Sequence, residues 1–375
     1  MQLLEVNHPE RIKLFLDLPA RINKQNPAYI HPMNQDIESV FDKKLNPAFS
    51  QGKACRWILL HPDGTCIGRI AAFHHMDKQQ QQQQAGCGFF ECIDSQEAAD
   101  MLFEQAKTWL AAQGLTQMDG PVNFGNRDQW WGLLIDGFHP PVYGMFYHPP
   151  YYQALFQQYG FQPLFWQYTF RRALHAPLSA SLKRRAARIM AQPDYQFADS
   201  RGLSTDSLAE QFLTIYNAAW QHMEGVNPLT LPQVQQLLAK LKPILDKKII
   251  WFAYFKGQAI GFFVNIPDLN QLIVKFLRHG SLNIYQKFRL LYRKTWKQCP
   301  TMLGFVFGIH PDFQGRGVES ALIFKFASQF REKRKSGYQE IQMNWIGSFN
   351  KPMLRVMQAL DAECYKTHCT YRYTF

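Results

Sequence analysis

The stretch of the 375-residue chain whose residue types and spacing point most directly to chemistry is His310-Pro311-Asp312-Phe313-Gln314-Gly315-Arg316-Gly317-Val318. It joins an apolar strand pattern, Leu303 to Ile309, to a helical pattern that continues from Val318. Glycines at 315 and 317 let the backbone fold tightly and turn its N–H groups outward. The start of a helix adds unpaired donors and a positive dipole end. Together these make an anion site of the size of a diphosphate. Gln314 can add a side-chain donor and Arg316 a charge. Glu319, an acid in the first helical turn, sits in the way: facing the loop it opposes an anion, and pointing sideways it only stabilises the helix. A second polar stretch, Gly120 to Gly132, carries Asn123, Asn126, Arg127, Asp128, Trp130 and Trp131. Arg127 suits a carboxylate or phosphate, and Asp128 can orient or deprotonate an amine. The competing reading is a turn whose two tryptophans pack between domains.

The elements needed to hold these loops are legible in the periodicity. Residues 56–73 and 248–266 each read as a hairpin, two apolar runs about a turn. Residues 94–114 read as a helix with Ser95 as N-cap and Gly114 as stop. Helices are also expected at 318–336 and 351–360, and strands at 88–93, 115–124, 164–170, 303–309 and 340–346. The six glutamines at 79–84 read as a surface loop. The order of helices, hairpin, strand, helix, strand, helix, strand occurs twice. A duplicated α/β architecture is therefore expected: one domain over 1–175, a basic linker over 176–204, and a second domain over 205–375. The second domain carries a basic, aromatic insertion at 270–298, which fits a lid, an anionic membrane surface or RNA.

The loop and its setting resemble motif A of the GNAT superfamily of N-acyltransferases, with Gln314 and Gly317 at fixed positions of that pattern. The resemblance implies two tandem GNAT-like domains, each a mixed, mostly antiparallel sheet flanked by helices. The first copy is degenerate, since Asp94 to Glu97 stands where a glycine loop belongs. It implies that Gln314, Gly315, Arg316, Gly317 and Val318 hold the diphosphate of acetyl-CoA or another acyl-CoA. The edge at Phe307, Gly308 and Ile309 would pair with the pantetheine arm. Residues 348–360 resemble motif B, with Asn350 opening the helix. Where many members place a tyrosine to protonate the departing thiolate, this chain has Met357; Tyr365 and Tyr371 are the nearby substitutes. Asp128, Glu319 or a water chain would take the amine's proton, and the 120–132 loop would line the acceptor's entrance.

Bulk properties narrow the class. A formal net charge of +12 favours anionic partners, whether nucleotide, tRNA or membrane surface. Seven cysteines without a C-x-x-C pair exclude a disulfide framework and give no metal site. With no secretory signal pattern at the start, a cytoplasmic location is expected. Three functions remain open. The chain is an acyl-CoA-dependent N-acyltransferase acting by direct attack of a small-molecule or peptide amine. It is a transferase using aminoacyl-tRNA. Or it is a non-catalytic module derived from the same fold.

Overall fold

The computed structural model describes residues 1–77, 82–125, 129–220, 228–242, 244–273, 299–332 and 337–375. The first half contributes β1 (Gln2–Glu5), α1 (Pro9–Ile22), α2 (Asn34–Phe41), β2 (Gly52–Leu60), β3 (Cys66–Asp77), β4 (Gln82–Cys92), α3 (Gln96–Ala111), β5 (Gln117–Gly120), β6 (Leu133–Asp136), α4 (Tyr152–Tyr159) and β7 (Gln162–Ala173). The remainder contributes α5 (Ala180–Met190), β8 (Tyr195–Asp199), α6 (Thr205–Trp220), α7 (Leu231–Leu241), β9 (Ile250–Phe255), β10 (Gln258–Pro267), α8 (Leu269–Ile273), β11 (Thr301–Ile309), α9 (Val318–Glu332), β12 (Glu340–Gly347), α10 (Lys351–Ala359) and β13 (Glu363–Thr374).

Local chemistry accounts for the boundaries. The Ser95 side chain accepts from the Ala98 amide at the start of α3, and Gly114 lies at φ 79 just past its end. Both expected hairpins form, β2–β3 and β9–β10. The second turns through Lys256 at φ 49 and Gly257 at φ 80, the left-handed pair that a two-residue hairpin needs. One expectation fails. Gln82, Gln83 and Gln84 are strand residues of β4, paired with Asp77, Met76 and His75, so the glutamine run is not wholly a loop. Backbone pairing is available to any residue other than proline, and an extended neighbour supplied it.

The strands join into one sheet in the order β1-β2-β3-β4-β5-β13-β7-β12-β11-β10-β9-β8, with β6 on β13. The closing strands are crossed over: β13, from the end of the chain, lies against β5 of the first half, and β7 lies against β12 of the second. Alternate residues feed different cores, as strand geometry requires. On β3, Ile70 and Ala72 pack with α3, whereas Ala71 and Phe73 pack with α1 and α2. On β9, Trp251 and Ala253 pack with α9 and α10, whereas Ile250 and Phe252 pack with α6. The stretch 176–204 contains a helix, α5, seated on α9, and an edge strand, β8. Among the described residues, no helix is long and apolar enough to cross a membrane. Most of the 270–298 insertion, from 274 on, lies outside the described residues.

One parallel pairing sits at the centre of each half. In the second half, β11 and β12 pair from Thr301↔Glu340 to Gly304↔Met343 and then part. In the first half, β4 and β5 meet only at Gly86↔Asp119, and the chain after β5 closes the gap. The Val122 amide donates to the Cys87 carbonyl at 2.9 Å, and a Cβ at Gly88 would overlap the Val122 carbonyl oxygen. The first half's seam is thus filled by its own backbone, while in the second half no backbone pairs with β11 beyond Gly304 on the β12 side among the described residues.

Candidate active site

The open seam leads to the loop. Pro311–Phe313 forms a short 3-10 turn, and α9 starts at Val318. Gly315 at φ 69 and Gly317 at φ 98 occupy the left-handed region that the sequence reading requires of them. Their consequence is a ring of donors: among the described residues, no carbonyl or side chain accepts from the backbone amides of residues 315–320, and the first helical hydrogen bond is Ala321 N to Gly317 O at 3.1 Å. Open amides at the positive end of a 15-residue helix are a setting that favours an anion.

The side chains divide the work differently from the sequence expectation. Gln314 Nε2 donates to the Ile309 carbonyl at 2.9 Å, so Gln314 braces the loop. The exposed Arg316 guanidinium lies 5.4 Å from the Phe313 ring centroid and pairs with no carboxylate among the described residues. Helix α5 adds two further cations that the sequence reading left in a linker. Arg188 Nη2 donates to the Arg316 carbonyl at 3.3 Å, and Arg185 Nε to Ser320 Oγ at 3.2 Å. A Cβ at Gly317 would come within 3.5 Å of Ile189 on that helix. Glu319 is half-buried in the first turn of α9 and accepts from none of the loop amides among the described residues.

Beyond Gly304, β11 has β10 on one side and no partner from β12 on the other. Gly304 to Phe307 are all partly exposed, an unusual state for the middle of a central strand. A bulge opposite Val264/Asn265 places Phe305 out of register there, which re-aims backbone groups beside the seam. Phe307 packs edge-on against Phe263 at 5.3 Å, and Gly308 and Ile309 are buried against β10. Asn350 caps α10, its side chain accepting from the Met353 amide at 3.2 Å. Met357 is buried beneath the same helix.

Other expected site residues go elsewhere. Tyr371 is 1% exposed in the first half's core, 5.8 Å from Phe156, and burial pushes its hydroxyl pKa up. Strand β13 crosses to β5, which carries Tyr371 away from the loop. Tyr365 lies two strands from β12, between the His139 ring at 4.2 Å and the Arg171 guanidinium at 4.1 Å. Asn123 is buried and its Oδ1 accepts from the Phe124 amide at 2.8 Å. Trp130 stacks on Phe146 at 5.7 Å, and Trp131 meets Trp345 of β12 edge-on at 6.4 Å. Both tryptophans are core residues, and Trp131 joins the halves, so neither lines an open acceptor entrance. Asn126, Arg127 and Asp128 lie outside the described residues.

No family model matches the chain. Over 379 residues it is 27% identical to the bacterial ceramide synthase of Caulobacter vibrioides (strain NA1000 / CB15N), covering 99% of this chain and 97% of that protein. Among solved structures it is similar to a tandem GNAT protein from the clavulanic acid biosynthesis pathway, with TM-score 0.57, 12% identity, and 100% and 98% of the two chains covered. It is also similar to a GCN5-related glucosamine N-acetyltransferase region in a fungal multi-domain GH3 β-N-acetylglucosaminidase, with TM-score 0.59 and 11% identity. There, 99% of this chain covers 38% of the longer one. The parted central strands, the glycine loop with its open amides and these likenesses agree: the chain has the fold of a tandem GNAT-like protein.

Proposed function

We propose that the chain is an N-acyltransferase that moves an acyl group from a coenzyme A thioester to an amine. The observation that carries this reading is the set of open amides at residues 315–320, placed where an unpaired stretch of β11 runs away from them. The amides, with Arg316, Arg185 and Arg188 around them, take the diphosphate. The arm of the cofactor follows the strand edge from Phe307 back toward Gly304, using backbone groups that β12 has released. The thioester then lies in the seam beside the bulge at Phe305.

The reaction is direct attack by a neutral amine. A C–N bond forms, the C–S bond breaks, the amine's proton passes to solvent or to a base, and the sulfur leaves as thiolate. An ordinary thiol pKa of ~8.5 makes that thiolate a tolerable leaving group, so the hydrophobic Met357 does not forbid the step. One relative that matches over nearly its whole length is a ceramide synthase. A ceramide is an N-acylated long-chain amine, so a lipid amine is the acceptor class we infer.

Calorimetry tests the donor half of the reading. Coenzyme A should bind at least about tenfold more tightly than pantetheine, since each charge-assisted hydrogen bond contributes about 1.5–3 kcal/mol. Gly317→Arg should remove that advantage. Equal binding of the two compounds refutes the reading. Salt-sensitive binding of tRNA without binding of coenzyme A would instead favour an aminoacyl-tRNA donor.

A further inference from the structure

At the end of the sheet where β11 and β12 part, the surface carries an apolar rim. Leu164 and Trp166, at the start of β7, are 37% and 42% exposed, and Phe349, between β12 and α10, is 54% exposed. We propose that this rim rests on the surface of an anionic lipid bilayer and sets the mouth of the seam against the lipid headgroups. The inference goes beyond the transfer reading, and its test does not depend on it.

Placement is the first argument. Strand β7 runs antiparallel to β12, so its first residues lie beside the last residues of β12: Tyr168 pairs with Ile346 and Gln167 with Gly347. The Ser348 amide donates to the Trp166 carbonyl at 2.8 Å, and Phe165 meets Phe349 edge-on at 5.5 Å. Phe165 also meets Trp345 edge-on at 6.4 Å, within the stretch where β12 has left β11. A chain of side chains therefore runs from the parted strands to solvent. Single exposed apolar residues are ordinary, but a cluster beside a site marks a contact surface.

The charges select the partner. Lys351 and Arg355 stand four residues apart on α10, both exposed, and neither forms an ion pair among the described residues. Residues 161–170 and 341–360 contain no aspartate or glutamate. The acids of β7, β12 and β13 are Glu340 and Glu363, which sit opposite Ala173 and Arg171 at the other end of β7. Tryptophan, phenylalanine and leucine beside unpaired cations are the composition that binds at an anionic lipid interface. A second copy meeting this rim across a two-fold axis would set Lys351 and Arg355 against their own counterparts. A nucleic acid would need ring faces on which to stack its bases. Phe165 and Phe349 cross at 77°, and Leu164 has no such face.

The test is sedimentation of the full-length protein with large vesicles, made of phosphatidylcholine alone or mixed equally with phosphatidylglycerol, without coenzyme A. Binding should require phosphatidylglycerol and weaken as salt rises. Lys351→Gln and Arg355→Gln should each lower affinity by up to about fivefold. Trp166→Ser combined with Phe349→Ser should lower it by at least about tenfold. Removing the same charge elsewhere, from the exposed Lys43 and Lys44, should have a smaller effect. In Trp166→Phe, which keeps the rim apolar, lipids brominated near the headgroup should quench less tryptophan fluorescence than in the wild type. Failure to bind phosphatidylglycerol vesicles overturns the proposal. Binding that the rim variants leave intact does so too, as does binding that Lys43→Gln with Lys44→Gln weakens equally. A wild-type dimer that the Trp166, Phe349 double variant dissolves, or tRNA binding lost in that variant, each without vesicle binding, gives the rim to another partner and also overturns it. If the double variant does not fold, quenching decides: a signal that Trp166→Phe leaves unchanged refutes the contact.

Discussion

Gly317→Ala probes the loop at the point where backbone conformation and ligand binding meet. Gly317 lies at φ 98, and an alanine held there pays the left-handed penalty of about 1–2 kcal/mol. At the scale of a large domain this lowers Tm by roughly 2–8 °C. The space itself is not the obstacle, since the new Cβ would meet Ile189 at 3.5 Å, an ordinary contact. Alternatively the backbone relaxes to negative φ. Stability is then recovered, but the amides of residues 317 and 318 swing out of the ring. Losing one charge-assisted bond of about 1.5–3 kcal/mol weakens coenzyme A binding by about ten- to hundredfold. The substitution must therefore appear either in the melting curve or in the calorimeter. Gly315→Asn is the control: Gly315 is at φ 69 with no heavy atom within 4 Å of an added Cβ, and asparagine tolerates that region. It should cost less than about 1 kcal/mol and leave binding nearly intact. A Gly317→Ala protein that melts and binds like the wild type would refute the role given to this backbone.

Three further outcomes follow from the structure. Tyr371→Phe should cost about 1 kcal/mol of stability by urea titration, for one lost buried hydroxyl partner, and leave acyl transfer unchanged; a large fall in turnover would restore Tyr371 to the site. Asn350→Ala should destabilise by about 1 kcal/mol through loss of the α10 cap, measured in the same way. Asp268 is 3% exposed, accepts from the Tyr143 and Asn270 amides at 2.9 Å and 3.2 Å, and has its pKa pushed up to about 6 by burial. A carboxyl with a raised folded pKa contributes stability that is fully present below its unfolded value of 3.8 and is lost as pH rises through about 6. The unfolding free energy of wild type minus that of Asp268→Asn should therefore fall by up to about 3 kcal/mol between pH 3.5 and pH 6.5; parallel pH profiles would contradict the assignment.

Much of this was readable from residue order, and the reasons for the remainder are physical. Local signals were faithful: Ser95 and Asn350 cap helices, both hairpins form, and Gly315 and Gly317 take positive φ. These are properties of short segments, settled by sterics and a few hydrogen bonds. Strand partnership is another matter. Residues 164–170 and 370–375 read as closing strands, but an aromatic run does not name its neighbour, and only the assembled sheet shows them crossed. Trp130 and Trp131 looked like a polar loop's aromatic lining because Asn123, Arg127 and Asp128 surround them in sequence. In three dimensions Phe146 and Trp345 claim both rings. The arginines of α5 were visible as charge, yet their seat beside residue 317 depends on small residues, Ala186 and Ala321, that let the two helices approach. The second half's core was hidden for the same reason: Phe307, Ala327 and Met357 lie on separate elements, and nothing in the spacing of Met343, Met353 and Met357 shows that they share it.

The central claim is that the amides of residues 315–320 receive a diphosphate. The most direct measurement is the structure of the chain crystallised with coenzyme A. The account predicts diphosphate oxygens within hydrogen-bonding distance of these amides and the sulfur in the seam beyond Gly304. A cofactor bound elsewhere, or a loop whose amides are covered by the Glu319 carboxylate while coenzyme A stays in solution, would contradict it.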